Sequence, residues 1–551
     1  MRTPRIPAAG LLLLCLLTLA GCKHKHADLI LTNGIVHTMD SAGTIAQAIA
    51  IHDGRVVAVG RTEDLLFEYS ADSIWDLKGK PVFPGLIDGH CHFVGLAMDR
   101  SQLSLIGTQS WEEVVAMADS FSRTHPDGWI IGRGWDQNDW SDKEFPDNTA
   151  LNELFPDRPV LMRRIDGHAA IANQAALDAA GITPGLRIPG GKAVVNAKGQ
   201  LSGLLLDLAV DMVTEIVPPP SDQDITASLL QLEQELFRYG LTTVTEAGQE
   251  LRIINLIDSL HQKGILRMRV HAMANPTEEN FERFLPTGPY RTERLTVSAF
   301  KVYADGALGS RGACLLKPYK DDPGNYGFLL HTPDYYRELA ARLYKAGFQM
   351  NTHCIGDSAN RLMLRIYGEV LGGPNDRRWR IEHAQVVNPQ DWESFKAYDI
   401  IPSVQPTHAI SDMAWAKDRI GKERLPGAYA YKSLLMAAGT TTFGTDFPVE
   451  GVNPMFTLFA AVQRTDTNDF PREGFMRNEA VNVDTAMQAM TRWAAHANFE
   501  DNDRGSLQKG KFADFVVLDY DPYGYDPKRL FRLQVLYTVL NGQLVFDKSL
   551  D

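Results

Sequence analysis

The stretch Pro81-Val82-Phe83-Pro84-Gly85-Leu86-Ile87-Asp88-Gly89-His90-Cys91-His92 decides the fold. An apolar run ends in two histidines two residues apart. Strand side chains alternate between faces, so His90 and His92 point one way and Cys91 the other. Two imidazoles on one face at a strand end can grip one metal ion. In a chain with 15 histidines, the same spacing also reads as two unrelated polar residues in a loop. The choice turns on whether further ligands end later strands.

Working outward, eight apolar, β-like runs alternate with helical patterns. They cover 82–87, 241–245, 268–273, 297–303, 348–352, 379–382, 400–405 and 440–444. Helical patterns fill 223–239, 251–263, 333–346 and 358–370, and two more, 453–465 and 483–497, follow the eighth run. This alternation predicts an α/β fold, a (β/α)8 TIM-like barrel over 82–500. The fourth run ends at Lys301 and Tyr303, the fifth at His353, the sixth at His383, the eighth just before Asp446. In a barrel those ends meet at one mouth, where catalytic groups sit.

Each residue type has a physical job there. Four neutral imidazoles suit zinc or a similar divalent ion. Lys301 is the odd member, because an ammonium is repelled by dications. Converted by carbon dioxide to a carbamate, it becomes an anion able to bridge two metals; otherwise it is a buried lysine paired with Asp305 or Glu382. Asp446 can ligate a metal and take a proton from water, and can also cap a helix after the eighth strand.

The segments around these residues resemble the amidohydrolase superfamily, and within it amidohydrolase family 3, the branch that includes N-substituted formamide deformylases. They are Pro84 through His92, Lys301-Val302-Tyr303-Ala304-Asp305-Gly306-Ala307-Leu308-Gly309-Ser310-Arg311, His353-Cys354-Ile355-Gly356-Asp357, Arg380-Ile381-Glu382-His383-Ala384-Gln385 and Gly444-Thr445-Asp446-Phe447-Pro448-Val449. The likeness runs from about residue 27 to the end. It implies a binuclear zinc centre, with His90 and His92 on one metal, His353 and His383 on the other, a carbamate on Lys301 between them, and Asp446 as ligand and acid/base. Some relatives keep a single metal. The segment Asp166-Gly167-His168 with Asn173 also resembles the family. His168, Arg311 and His408 are candidate substrate-binding residues, against ordinary loop hydrogen bonding.

The expected activity is hydrolysis of a non-peptide carbon–nitrogen bond, amide or formamide, by metal-activated water. A lactone, ester or phosphotriester fits the same centre, since fold does not fix function. A ligand-binding lipoprotein on an inactive barrel predicts missing ligands, and none is missing.

The flanks carry the rest. Short β runs separated by Asn33-Gly34 and Asp53-Gly54 fill 27–80, and similar runs fill 514–545, so 22–81 and 501–551 are expected to form one small β-sandwich. About 150 residues separate the first two barrel runs, which predicts an inserted subdomain over 93–240. It includes apolar runs at 129–133 and 160–165 and a hairpin around Ala197-Lys198-Gly199. The loop Trp135–Trp140 either lines a lid or packs this subdomain.

Arg2 and Arg5, a short apolar stretch and Leu19-Ala20-Gly21-Cys22 read as a lipoprotein signal over 1–21 with Cys22 acylated. Its apolar part is shorter than the ~20 residues that span a bilayer. With Lys23 next, the expected location is the outer membrane of a Gram-negative bacterium, facing the periplasm, with the lipid as sole membrane anchor. The formal net charge of −13 argues against a nucleic-acid partner and leaves a small-molecule substrate. Cys91 and Cys354 read as buried packing residues rather than ligands or a disulfide.

Overall fold

The computed structural model describes residues 24–99, 102–218 and 220–550. The leader over 1–21 and Cys22 lie outside these residues. Among the described residues, no helix is long and apolar enough to cross a membrane.

Eight parallel strands form the central sheet, β1 (Leu86–Cys91), β2 (Leu241–Gln249), β3 (Arg269–Ala274), β4 (Leu295–Tyr303), β5 (Gln349–Cys354), β6 (Arg380–His383), β7 (Ile401–Val404) and β8 (Thr442–Phe443). Each is hydrogen-bonded to the next in chain order, from β1 to β8. They are buried almost throughout, as a parallel sheet covered by helices requires. The last seam, between β8 and β1, closes without a regular ladder. Asp446 N donates to His90 O at 2.8 Å and His92 N to Phe447 O at 2.8 Å. Asp88 takes the Thr445 hydroxyl at 2.7 Å and its backbone N–H at 3.1 Å. The chains come so close that a Cβ on Gly89 would meet the Thr442 hydroxyl at 2.2 Å, and one on Gly444 the His90 nitrogen at 2.4 Å. Three of the six metal-ligand candidates, His90, His92 and Asp446, therefore sit at this seam.

The expected first run, 82–87, spans two strands. Pro81–Pro84 pairs with Ile35–His37 and with Phe515–Leu518 in a six-stranded sheet built from the two ends of the chain. Gly85 breaks the run, and β1 begins at Leu86. A second sheet, of four strands, comes wholly from the N-terminal segment. One apolar cluster holds Leu31, Ile49 and Val56 from this sheet with Val82, Phe515 and Val539 from the other. The segment also contains a helix, Thr62–Glu68, in what reads from sequence as strands and turns.

The insertion after β1 is a six-stranded mixed sheet between Leu103 and Asp207. Its hairpin joins Gly191–Val195 to Leu201–Asp207. The expected bounds, 93–240, are too wide. The helix Asp222–Arg238 puts Ile225, Leu229, Leu232 and Leu236 into the barrel's own core. It is the barrel's covering helix before β2, as its apolar positions at helical spacing dictate.

Candidate metal centre and cavity

The strand ends open into a cavity of about 1660 Å³. Its wall includes His92, Lys301, Tyr303, His353, His383, His408 and Asp446 from the barrel, and Arg133, Arg163 and His168 from the insertion. His90 stands behind them, fully buried.

Asp446 sits where the imidazoles converge. Its Oδ1 is 3.2 Å from His92 Nε2 and 3.5 Å from His90 Nε2. Its Oδ2 is 3.6 Å from His408 Nε2 and 3.9 Å from His383 Nδ1. Ligand atoms of His90, His383 and Asp446 all lie within 4.8 Å of one another. The His353 and His383 rings are 4.6 Å apart, and those of His90 and His383 4.8 Å. Lys301 Nζ reaches to 3.1 Å from His90 Nε2. All six residues expected at the mouth are thus brought together.

Hydrogen bonds behind the imidazoles decide which nitrogen faces inward. His90 Nδ1 is 2.5 Å from a Glu382 oxygen. A carboxylate only accepts, so Nδ1 carries the proton and Nε2 offers its lone pair. His383 Nδ1 likewise meets Gln405 Oε1 at 2.8 Å. Burial holds His90, His92, His353 and His383 below the usual imidazole range, so they are neutral. Asp446 is held well below the usual carboxylate range: burial opposes its charge, but the close imidazoles of His92, His90 and His383 prevail. Lys301 is fully buried, and burial pulls its amine down to about 8.

Three buried atoms here have no hydrogen-bond partner: Asp446 Oδ1, His353 Nε2 and His408 Nε2. Buried polar atoms rarely stay unpaired. A carboxylate oxygen and imidazole nitrogens left without hydrogen bonds at one mouth are the donor types of a divalent cation, so the residues fit a metal. His383 (φ 70°) and Asp446 (φ 62°) also adopt left-handed backbone, which costs roughly 1–3 kcal/mol each and persists where surrounding structure demands it.

Glu382 and Gln405 are functional residues the sequence reading did not assign. Glu382 appears there only as an alternative partner for Lys301. Glu246 on β2 is another. It accepts from the Val94 amide at 3.1 Å, fixing the chain where it leaves His92, and burial pushes it up to about 7.

The substrate candidates divide. His168 comes in from the insertion, its ring 5.0 Å from that of His353. Burial opposes its charge, but a 2.8 Å bond to Asp207 outweighs that and raises its pKa. His408 lines the cavity beside Asp446. Arg311 does not line it. Its guanidinium pairs with Asp321 at 3.1 Å, and neither residue lines the cavity. The Trp135–Trp140 loop packs the insertion and also borders the cavity. Trp135 and Trp140 stack at 5.7 Å in the insertion's core, while Asp136 and Asp139 face the cavity. Cys91 and Cys354 are buried free thiols in the barrel core.

A barrel with this mouth defines a metal-dependent hydrolase. The sequence model of amidohydrolase family 3, described as "Amidohydrolase family", matches residues 73–546, and the chain belongs to that family. It is 32% identical over 529 residues to the putative amidohydrolase YtcJ of Bacillus subtilis, covering 94% of this chain and 99% of that one. It is 25% identical over 547 residues to the N-substituted formamide deformylase of Arthrobacter pascens, covering 95% and 99%. A solved structure of an uncharacterized metal-dependent hydrolase from Pyrococcus horikoshii OT3 superposes with a TM-score of 0.75 at 27% identity, covering 91% and 99%.

Proposed function

We propose that the protein hydrolyses a non-peptide carbon–nitrogen bond, of amide or formamide type, in a small molecule. The observation that carries this reading is that Asp446 Oδ1, His353 Nε2 and His408 Nε2 are buried without hydrogen bonds at a mouth where His90, His383 and Asp446 bring ligand atoms within 4.8 Å of one another. Its kinship with a formamide deformylase along nearly the whole chain supports the choice of bond.

His90, His92, His353, His383 and Asp446 would hold two divalent ions, zinc by the softness of the imidazole set, with Lys301 between them. Bound there, such ions supply Lewis acidity and lower the pKa of water toward neutrality. As a carbamate, Lys301 would add negative charge to that centre. Its Nζ lone pair bonds the carbon of carbon dioxide, the amine releases one proton to solvent, and a monoanion results. An amine pulled down to about 8 is neutral in about a tenth of molecules at pH 7, and this step uses the neutral form.

The remaining work falls to the chain's own side chains. Asp446, ionised and aimed inward, takes the proton of the attacking water on a carboxylate oxygen and returns it to the leaving nitrogen. His168, whose bond to Asp207 favours its protonated form, donates to the substrate carbonyl oxygen from the insertion side. Glu382 and Gln405 lock the rings of His90 and His383. The test is a panel of N-formyl amines, N-acyl amines, lactones and phosphotriesters. Turnover of formamides or amides ahead of the others is expected; a phosphotriester or lactone preferred a hundredfold would overturn the assignment of the bond.

A further inference from the structure

The insertion carries a pair of arginines that the hydrolytic centre does not use. Arg133 and Arg163 are register partners on adjacent parallel strands, Ile130–Trp135 and Val160–Arg164. Both line the cavity. Like charges side by side on paired strands destabilise a sheet unless something compensates them.

The compensation is incomplete. Arg133 has a carboxylate, Asp99, at 3.0 Å, and donates to Ile165 O at 3.1 Å. Arg163 has neither an ion pair nor a hydrogen bond among the described residues, and its Nε is buried and unbonded. The Nε of Arg133 is also buried and unbonded. Asp99 and Asp211 act on Arg163 only at longer range. The next residue shows what a satisfied arginine looks like in this sheet. Arg164 binds Asp136, Asp166 at 2.5 Å and Gln137 at 2.8 Å. A half-buried guanidinium left unpaired one residue away is costly, and the cost disappears when an anion arrives.

The two guanidinium ends converge. A Cβ placed on Gly167 would stand 3.5 Å from Arg163 Nη2 and 3.6 Å from Arg133 Nη2. Glycine, in left-handed backbone at φ 75°, keeps that space open. The pair also borders the centre. Arg133 is among the charges that act on His92, and Arg163 on Tyr303, whose ring is 5.4 Å from that of His353.

We propose that Arg163, assisted by Arg133, is a carboxylate-binding subsite, so that the preferred substrate is an amide or formamide bearing an acid group. This rests on the hydrolase reading above. The scissile carbonyl sits at the barrel mouth while the acid end is held against the inserted sheet. Planar guanidinium forks match carboxylates in two-point hydrogen bonding, which a lysine cannot reproduce.

The test uses the full-length enzyme and formamides of ω-amino acids, from N-formylglycine to N-formyl-6-aminohexanoate, against the same chains ending in an alcohol. Wild type is expected to prefer acids in kcat/KM, with an optimum chain length. In Arg163→Gln that preference falls by about 30-fold or more, the loss expected when one partner of a buried charge pair is removed. Arg163→Lys recovers only part of it. No preference in wild type, or a preference unchanged in Arg163→Gln, overturns the subsite. If no formamide is turned over at all, the hydrolytic reading is what fails, and calorimetric titration with the same acids decides the subsite. Binding to wild type that is lost in Arg163→Gln sustains it; absence of binding by any of the acids overturns it.

Discussion

The two walls of the cavity are built on opposite electrical plans. The barrel wall presents neutral imidazoles and an ionised carboxylate with lone pairs left unused. The inserted wall adds Arg133, Arg163 and His168, whose pKa is raised by Asp207, set among carboxylates such as Asp136 and Asp139. The first is arranged to hold a cation and the second to hold an anion or a carbonyl oxygen. The difference separates two tasks. A closed barrel fixes the reacting groups through strand geometry, whereas a sheet grafted after β1 can change the substrate without disturbing them.

The comparison breaks most visibly at Asp446. Asp446→Asn keeps shape and removes the base, so kcat should fall about 10³-fold on every substrate, within the usual range for a lost acid/base. Metal content measured by plasma mass spectrometry should stay largely intact. Full activity in this variant would remove the barrel wall's catalytic role.

The inserted wall should break through stability instead. Arg164 is buried between Asp136 and Asp166, and Arg164→Leu would strand both carboxylates. Such a loss costs roughly 3–5 kcal/mol. Thermal unfolding should then show the insertion melting early, ahead of the barrel. An unchanged transition would mean that the two walls are not separately held.

Glu382 sharpens the picture on the barrel side. Glu382→Gln weakens the bond that fixes the His90 tautomer, and zinc affinity should drop about 10–100-fold. Competition with a chromophoric chelator reads this directly. Arg163→Gln, by contrast, should leave zinc affinity where it was.

The smallest effect lies away from both walls, in a barrel helix. Burial pushes His261 down to about 4, and its ring donates to Met268 O at 2.9 Å. The unfolded chain takes a proton there near pH 6.5 and the folded chain only near pH 4. Stability is therefore intact above pH 6.5 and lost as pH falls toward 4, by about 2 kcal/mol at pH 5. Denaturant titrations at pH 7 and pH 5 should show His261→Gln losing correspondingly less than wild type.

The barrel wall was largely legible in the sequence, because its residues recur at the ends of apolar runs and need only strand periodicity to be aligned. The run at 82–87 misleads because a strand of the terminal sheet and β1 abut, divided only by Gly85. Glu382 was hidden since its partner, His90, lies 292 residues away and no local pattern links them. The arginines were hidden for a related reason. The runs 129–133 and 160–165 are visible, each with arginine near its end, but nothing in either says that Arg133 and Arg163 share a register. Arg311 shows the converse: it closes a family-like segment, yet it pairs with Asp321 and does not line the cavity.

On the proposed function, the barrel wall holds divalent cations through His90, His92, His353, His383, Asp446 and a carbamate on Lys301. The most direct measurement is a crystal structure with anomalous scattering, from protein purified without chelator in the presence of bicarbonate. The account predicts two anomalous peaks among these residues and continuous density beyond Lys301 Nζ. A free amine at Lys301 with no peak at Asp446 would contradict it.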